Sequence, residues 1–285
     1  MKEIYENGDI PDDLCKSIFI ALPKQPGATE CELHRTISLM SQITKILLKI
    51  LTGCIRNKLG PEIAEEQNGF VEDKGTRNAI FCLSTLIERS LQVQRNLYLC
   101  FIDYSKAFDC VKHRDLFSIL HNLNIEGKDL RIVRNLYWDQ KAAMRVEGEL
   151  SPFTEIKREV RQGCVMSPDL FNIYSEMILR EIDDIEGIRV GGYNMNNLRY
   201  ADDTVLISDS QEGRQALIDR VGAESEKKGL LLNVKKTECM IIIKKCNNTV
   251  IDLKYKGMSI EQVHKFKYLG CEITSDGRWN TEVIK

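Results

Sequence analysis

The stretch Leu198–Ile207, LRYADDTVLI, constrains the fold more than any other part of the chain. Leu198–Tyr200 reads as the end of one strand, and the β-branched, apolar Thr204–Ile207 as the start of another. Ala201-Asp202-Asp203 is left for the tight turn of a hairpin. A surface turn can carry two aspartates for solubility alone. The apolar flanks argue for a strand pair packed in a core instead, with two adjacent carboxylates at its tip. Such a pair repels itself unless a cation sits there. Mg²⁺ takes carboxylate oxygens and usually keeps phosphate oxygens as further ligands. The stretch is therefore a candidate two-metal phosphoryl-transfer site, and the rest of the chain has to supply the other parts.

A chain of 285 residues can bury a large core and hold two subdomains. No run of about eighteen apolar residues is present, so no membrane span is expected. The polar N-terminus MKEIYENGDIPDDL is no signal peptide. The ten cysteines lack CxxC or zinc-ligand spacing, and His34, His113, His121 and His264 do not cluster with them. Reduced, mostly buried thiols and an intracellular location, nuclear or cytoplasmic, are expected. The formal net charge of −2 argues against holding nucleic acid by bulk charge, while leaving room for a local cleft.

Along the chain, 14–23 reads as a strand closed by Pro23. Residues 37–59 read as a long amphipathic helix with Leu39, Ile43, Ile46, Leu47, Ile50, Leu51 and Ile55 in its stripe. A polar loop at 67–78 precedes a helix at about 77–94. The run LYLCFI, 97–102, is continuously apolar and ends at Asp103, the signature of a strand buried on both faces. Helices are expected from about 114 and over about 128–138, and a hairpin over 141–158. Ser167-Pro168 opens a helix reaching about 182. The helix at about 211–228 ends at Gly229. Leu230–Leu232 and Glu238–Ile243 read as strands, and a last hairpin covers about 250–273. No Pro/Gly/Ser-rich linker separates these parts, so fused subdomains are expected.

Asp103 is the partner that the aspartate pair needs. It ends one buried strand as Asp202 and Asp203 end another. If the strands are neighbours, three carboxylates converge, as two metals about 4 Å apart require.

The ordered motifs then carry a family resemblance. Asp103 with Phe108, Gln162-Gly163 with Ser167-Pro168, and Tyr200-Ala201-Asp202-Asp203 resemble reverse-transcriptase palm motifs A, B and C. HRTISLMSQITKILLKIL and QNGFVEDKGTRNAI resemble two finger motifs. GLLLNVKKTECM resembles motif D, and FKYLGCEIT motif E, the primer grip. Nearly the whole chain, about 14–275, resembles the non-LTR (LINE-like) retrotransposon reverse transcriptases.

The resemblance implies an α+β right-hand polymerase fold: a palm with an antiparallel sheet backed by helices, plus helical fingers. It implies fingers over 1–96, a palm over 97–275 with a finger insertion at about 114–158, and only the start of a thumb at 276–285. It further implies RNA-directed addition of deoxynucleotides to a DNA 3′-hydroxyl, with an RNA template, a DNA primer and deoxynucleoside triphosphates as partners. Two Mg²⁺ ions, with Mn²⁺ as a substitute, would be held by Asp103, Asp202, Asp203 and the Tyr104 backbone carbonyl. Phe108 would stack under the incoming sugar and exclude a 2′-hydroxyl, and Gln162 and Gly163 would border the nucleotide and template. Lys236, or alternatively Lys235, would protonate the leaving pyrophosphate. Asp109 would have a structural role. Phe266, Tyr268, Leu269 and Gly270 would form the primer grip.

Two positions depart from the family pattern. Thr36 stands where many relatives have Pro, and Val71 where they have Arg. Arg35, Lys74 and Arg77 are left as the basic candidates for the triphosphate. The expected absence of a thumb and of an endonuclease leaves a second reading, a folded but inactive retroelement remnant. A cyclase would not need the Gln-Gly…Ser-Pro helix. An RNA-directed RNA polymerase would usually carry Gly before Asp-Asp and lack a bulky residue like Phe108.

Overall fold

A computed structural model of the protein describes residues 2–138, 140–146, 148–243 and 252–281. Cys246, the first residues of the expected 250–273 hairpin and the last four of the 276–285 segment lie outside them. The chain forms two compact units, Met1–Ile63 with Phe108–Tyr174, and Ala64–Ala107 with Ser175–Lys285. This division follows packing and does not run along the boundaries at 97 and 275 that the resemblance implies.

In the first unit, the strand Lys16–Pro23 pairs antiparallel with His34–Leu39 and parallel with Lys141–Val146. Lys141–Val146 also carries the short strands Glu149–Leu150 and Thr154–Glu155, both antiparallel. Helices cover Gln42–Leu59, His113–Asn122 and Gly127–Trp138. The expected helix at 37–59 is thus shorter. Ile37 and Ser38 belong to a strand, opposite Ile20 and Phe19. Ser41 then caps the helix, its Oγ accepting from the Thr44 N–H at 3.1 Å. The buried face carries Leu47, Leu48, Leu51, Ile55 and Leu59, while Ile43, Ile46 and Ile50 are exposed. The helix is apolar over more than one face, so its partners, and not its periodicity, choose the buried stripe.

In the second unit, a five-stranded sheet has the order Glu261–Gln262, Glu238–Ile242, Leu97–Ile102, Asp203–Ser208, Asn197–Tyr200. Leu97–Ile102 is central and antiparallel to both neighbours. Leu97, Leu99 and Phe101 point to one face, where Ala79, Leu83, Leu86 and Ile87 of the helix Thr76–Gln92 pack with Val205, Ile207 and Met240. The helix Gln211–Lys227 packs on the same two central strands, its Arg214 over the Tyr98 ring of the opposite face. That burial on both faces explains the unbroken apolar run. Each large side chain so buried contributes about 1.5–3 kcal/mol.

Leu230–Leu232 is not a strand. A single antiparallel bridge joins Leu232 to Tyr104, and the following residues form a turn. The expected last hairpin divides in two, a small one pairing Lys254–Tyr255 with Met258–Ser259 and a larger one pairing Lys265–Tyr268 with Cys271–Thr274. Trp279–Thr281 adds a third strand to the latter. Gly229, at φ 83°, closes the helix before it as read from the sequence. Among the described residues, no helix is long and apolar enough to cross a membrane.

Candidate active site

The sheet register sets the carboxylates. Thr204 stands opposite Ile102 and Val205 opposite Phe101, so one further step places Asp203 opposite Asp103. Tyr200 pairs with Asp203, which leaves a two-residue turn of Ala201 and Asp202. The turn is one residue shorter than the Ala-Asp-Asp reading, because Asp203 already belongs to a strand. Two-residue hairpin turns require positive φ, and Ala201 has φ 57°. Alanine gains nothing from that conformation, so the turn needs outside support.

Support comes from the QNG segment. The Gln67 Oε1 accepts the Ala201 N–H at 2.9 Å and the Gly69 N–H at 2.8 Å. Beneath it, Arg199 and Glu176 form a buried ion pair at 2.9 Å. Asp103 is held from the other side. Its N–H donates to the Thr237 Oγ1 at 3.3 Å, and its carbonyl accepts the Asn233 N–H at 2.8 Å. The loop that grips Asp103 is therefore the one carrying Lys235 and Lys236, whose side chains are exposed. Tyr104 is buried, its hydroxyl against the Ser225 Oγ at 2.9 Å, and burial pushes its phenol up to about 12.

Burial first, then Asp202 and Asp103, push the Asp203 carboxyl up to about 6, although the residue keeps an exposed edge. The carboxylates thus feel one another. Even so, among the described residues no three His, Cys, Asp or Glu side chains are gathered closely enough to hold a metal ion as they stand. The convergence expected from the sequence is one of strand ends and electrostatic field, not a closed cage. The donor chemistry does fit a hard divalent cation. The donors are carboxylate oxygens, and an anion disfavoured by two like charges is the one such a cation relieves.

The remaining candidates of the second unit sit in ordinary structural settings. The Lys74 Nζ donates to the Glu65 carbonyl at 2.8 Å, and Arg77 is exposed on the first turn of its helix. The Phe266 ring stacks on Phe101, with centroids 3.7 Å apart. Tyr268 is buried, and burial raises its phenol far above the ordinary value. Leu269 and Gly270 form the turn of that hairpin, at φ 47° and 88°.

In the first unit, the Phe108 ring stacks on the fully buried Phe171, with centroids 4.4 Å apart. The Gln162 Nε2 donates to the Asp109 Oδ1 at 3.2 Å, and the Gln162 carbonyl accepts from the Ser38 N–H at 3.0 Å. Gly163 has φ 95°, a conformation that favours glycine. Arg35 is exposed on the strand His34–Leu39.

Sequence reasoning missed Gln67, Thr237, Asn233 and the Arg199–Glu176 pair as parts of the site. Gln67 lay inside a recognised motif, but nothing local signals which backbone amide its carboxamide meets.

Comparisons with known proteins give the family. The reverse transcriptase (RNA-dependent DNA polymerase) family matches residues 22–273. The chain is 26% identical over 242 residues to a Retrovirus-related Pol polyprotein from type-1 retrotransposable element R2 of Nasonia vitripennis, covering 84% of this chain and 23% of that protein. It is 27% identical over 281 residues to the corresponding type-2 element R2DM polyprotein of Drosophila melanogaster, covering 95% of this chain and 26% of that one. The chain thus spans about a quarter of the length of these curated relatives. A solved telomerase from Candida albicans, in complex with a fragment of telomeric RNA, shares the fold at a TM-score of 0.65 with 12% identity, over 96% of this chain and 47% of that one. With its motifs in family order and its aspartates at neighbouring strand ends, the chain belongs to the reverse transcriptase (RNA-dependent DNA polymerase) family, on the non-LTR retrotransposon side.

Proposed function

We propose that this chain is the polymerase core of a non-LTR retrotransposon reverse transcriptase, extending a DNA 3′-hydroxyl with deoxynucleotides on an RNA template. The observation that carries the reading is the register that sets Asp203 opposite Asp103 at the ends of two paired strands. In this reading Asp103, Asp202 and Asp203 hold two Mg²⁺ ions, with the Tyr104 carbonyl as a further ligand. When bound, such ions activate the attacking hydroxyl and steady the leaving pyrophosphate. The chain's own contribution is positioning. The 231–237 loop pins the Asp103 backbone, and the two-residue turn sets Asp202 next to Asp203 at the strand end. Lys236, or alternatively Lys235, would give a proton to the pyrophosphate. Phe108, Gln162 and Gly163 act as nucleotide contacts, with Phe108 the discriminator against a 2′-hydroxyl. Arg35, Lys74 and Arg77 are the basic candidates for the triphosphate. Phe266, Tyr268, Leu269 and Gly270 support the primer end.

Primer extension on an RNA template with Mg²⁺ and deoxynucleotides tests the reading, using the parent chain, Asp103→Ala and Asp202→Ala. Extension by the parent is expected, with a loss of at least a hundredfold in either variant. Extension retained by either variant refutes the metal assignment. A parent that binds primer–template but never extends it establishes the alternative, a folded, inactive remnant.

A further inference from the structure

We propose that Gln67 is a positioning residue for polymerisation, setting the attitude of the turn that carries Asp202 and leads into Asp203 by holding the Ala201 amide. The inference rests on the polymerase reading above, and it concerns a side chain that touches neither substrate nor metal in that reading.

Four observations converge on it. First, Gln67 is fully buried, and its Oε1 accepts two backbone N–H groups, those of Gly69 at 2.8 Å and Ala201 at 2.9 Å. Two converging donors fix the orientation of the carboxamide, because a flip would set its NH₂ against them. Second, the Gln67 Nε2 is buried and has no hydrogen-bond partner among the described residues. A buried donor left unmade lowers stability, so local stability alone does not explain the choice of an amide here. Third, the backbone lies as close to the turn as it can. A Cβ on Gly69 would stand 2.2 Å from the Ala201 nitrogen, so only glycine admits this approach. Fourth, the segment is bound in register to the strand that leads into the turn. The Arg199 N–H donates to the Glu66 carbonyl at 2.9 Å, and the Asn68 N–H to the Arg199 carbonyl at 2.8 Å. The Arg199 side chain is fixed in turn by Glu176, whose Oε2 also accepts the Ala64 N–H at 3.2 Å.

The clamp therefore grips the residue that most needs it. Ala201 holds a positive φ without the freedom of glycine, and the next residue is Asp202. Without the clamp, the turn can relax toward a negative φ at Ala201, which swings Asp202 and Asp203 together. A displacement of about 1 Å at a reacting centre costs about a hundredfold in rate.

The test compares the parent chain with Gln67→Met, of similar length but without the acceptor, and Gln67→Glu, which keeps an acceptor oxygen. Amide hydrogen exchange in metal-free buffer is read first. Gln67→Met is expected to speed exchange at Ala201 and Gly69 at least tenfold, leaving Leu99 and Leu206 in the sheet unchanged. Gln67→Glu is expected to restore protection at Ala201. Steady-state primer extension is read second. In Gln67→Met, kcat should fall tenfold or more while KM for the deoxynucleotide changes less than threefold, since the turn and not the nucleotide contacts has moved. Unchanged exchange at Ala201 overturns the clamp. Faster exchange with an unchanged kcat overturns the positioning role. A parent chain without extension refutes the polymerase reading and with it this purpose for Gln67, while the exchange data still report whether the clamp exists.

Discussion

Glu159 shows how a single residue can hold a conformation that its type disfavours. Its φ of 123° lies outside the ordinary range for an L-residue, and two contacts enforce it. The Glu159 N–H donates to the Val111 carbonyl at 2.9 Å, and the His113 Nε2 hydrogen-bonds the Glu159 carbonyl at 2.9 Å. The side chain is held as well, its Oε1 accepting from the Gln140 Nε2 at 3.0 Å. Burial, and then the like charge of Asp109, push the carboxyl from 4.5 up to about 7, against the opposing pull of Gln140 and Arg161. The folded state thus binds this proton more tightly than the unfolded chain does. The resulting stability is fully present below about pH 4.5 and is lost as pH rises through 7. Burial pushes the His113 imidazole down, which gives the opposite slope, so the comparison must be between two proteins and not two pH values. Glu159→Gln should show a smaller fall in Tm than the parent between pH 5 and 8. Parallel Tm curves would show that Glu159 does not take up a proton on folding. Phe108 illustrates a different point at this scale. Its stack on Phe171 is a packing role, and the same stack would hold the ring still for a sugar.

Among the elements, the hairpin Lys265–Tyr268 with Cys271–Thr274 is the most heavily conditioned by backbone conformation. Tyr268 pairs with Cys271, leaving Leu269 and Gly270 to turn the chain, both at positive φ. That is the geometry of a type I′ turn, which matches the twist of its strands. Leucine is poorly suited to it, yet Leu269 packs against the core below the sheet. Burial offsets the backbone cost, and the strain is stored at the tip of the proposed primer grip. Gly270 has open space where a Cβ would stand, so a substitution there meets only the backbone penalty. Gly270→Ala should lower stability by about 1–2 kcal/mol in denaturant titration, with the m-value unchanged. No loss would mean that the turn adopts another conformation. The contrast with Gly69 is instructive, since there the obstacle is a neighbouring backbone atom and not φ.

For the whole molecule, charge is the governing quantity. The chain carries 40 Lys and Arg against 42 Asp and Glu and has no polybasic run. Each phosphate contact contributes about −0.7 to −0.9 to the slope of log affinity against log salt. Primer–template binding by this chain should therefore be weak, with a slope shallower than about −6. A filter-binding or anisotropy series from low to moderate salt checks this. A steeper slope would reveal a concentrated basic face that the net charge conceals. The proposed activity then depends on placing few charges well, which is what the pinned Asp103 backbone and the clamped turn do.

Periodicity and motif order made much of this protein legible. The central strand falls at 97–102 as its unbroken apolar run requires, and the helices Thr76–Gln92 and Gln211–Lys227 lie within two residues of their sequence reading. These are local signals, carried by residues a few positions apart. The adjacency of the strands bearing Asp103 and Asp202-Asp203 was only a condition in the sequence, and the sheet register meets it. Other features could be decided only in three dimensions. The face that Gln42–Leu59 buries, and the conversion of Leu230–Leu232 from a strand into a loop gripping Asp103, depend on partners brought in by the fold. Gln67 is the clearest case, because the amide it serves is 134 residues away. A hydrogen bond of that span leaves no periodic trace in the sequence, for it is selected by the close approach of two backbones and not by the pattern of either segment.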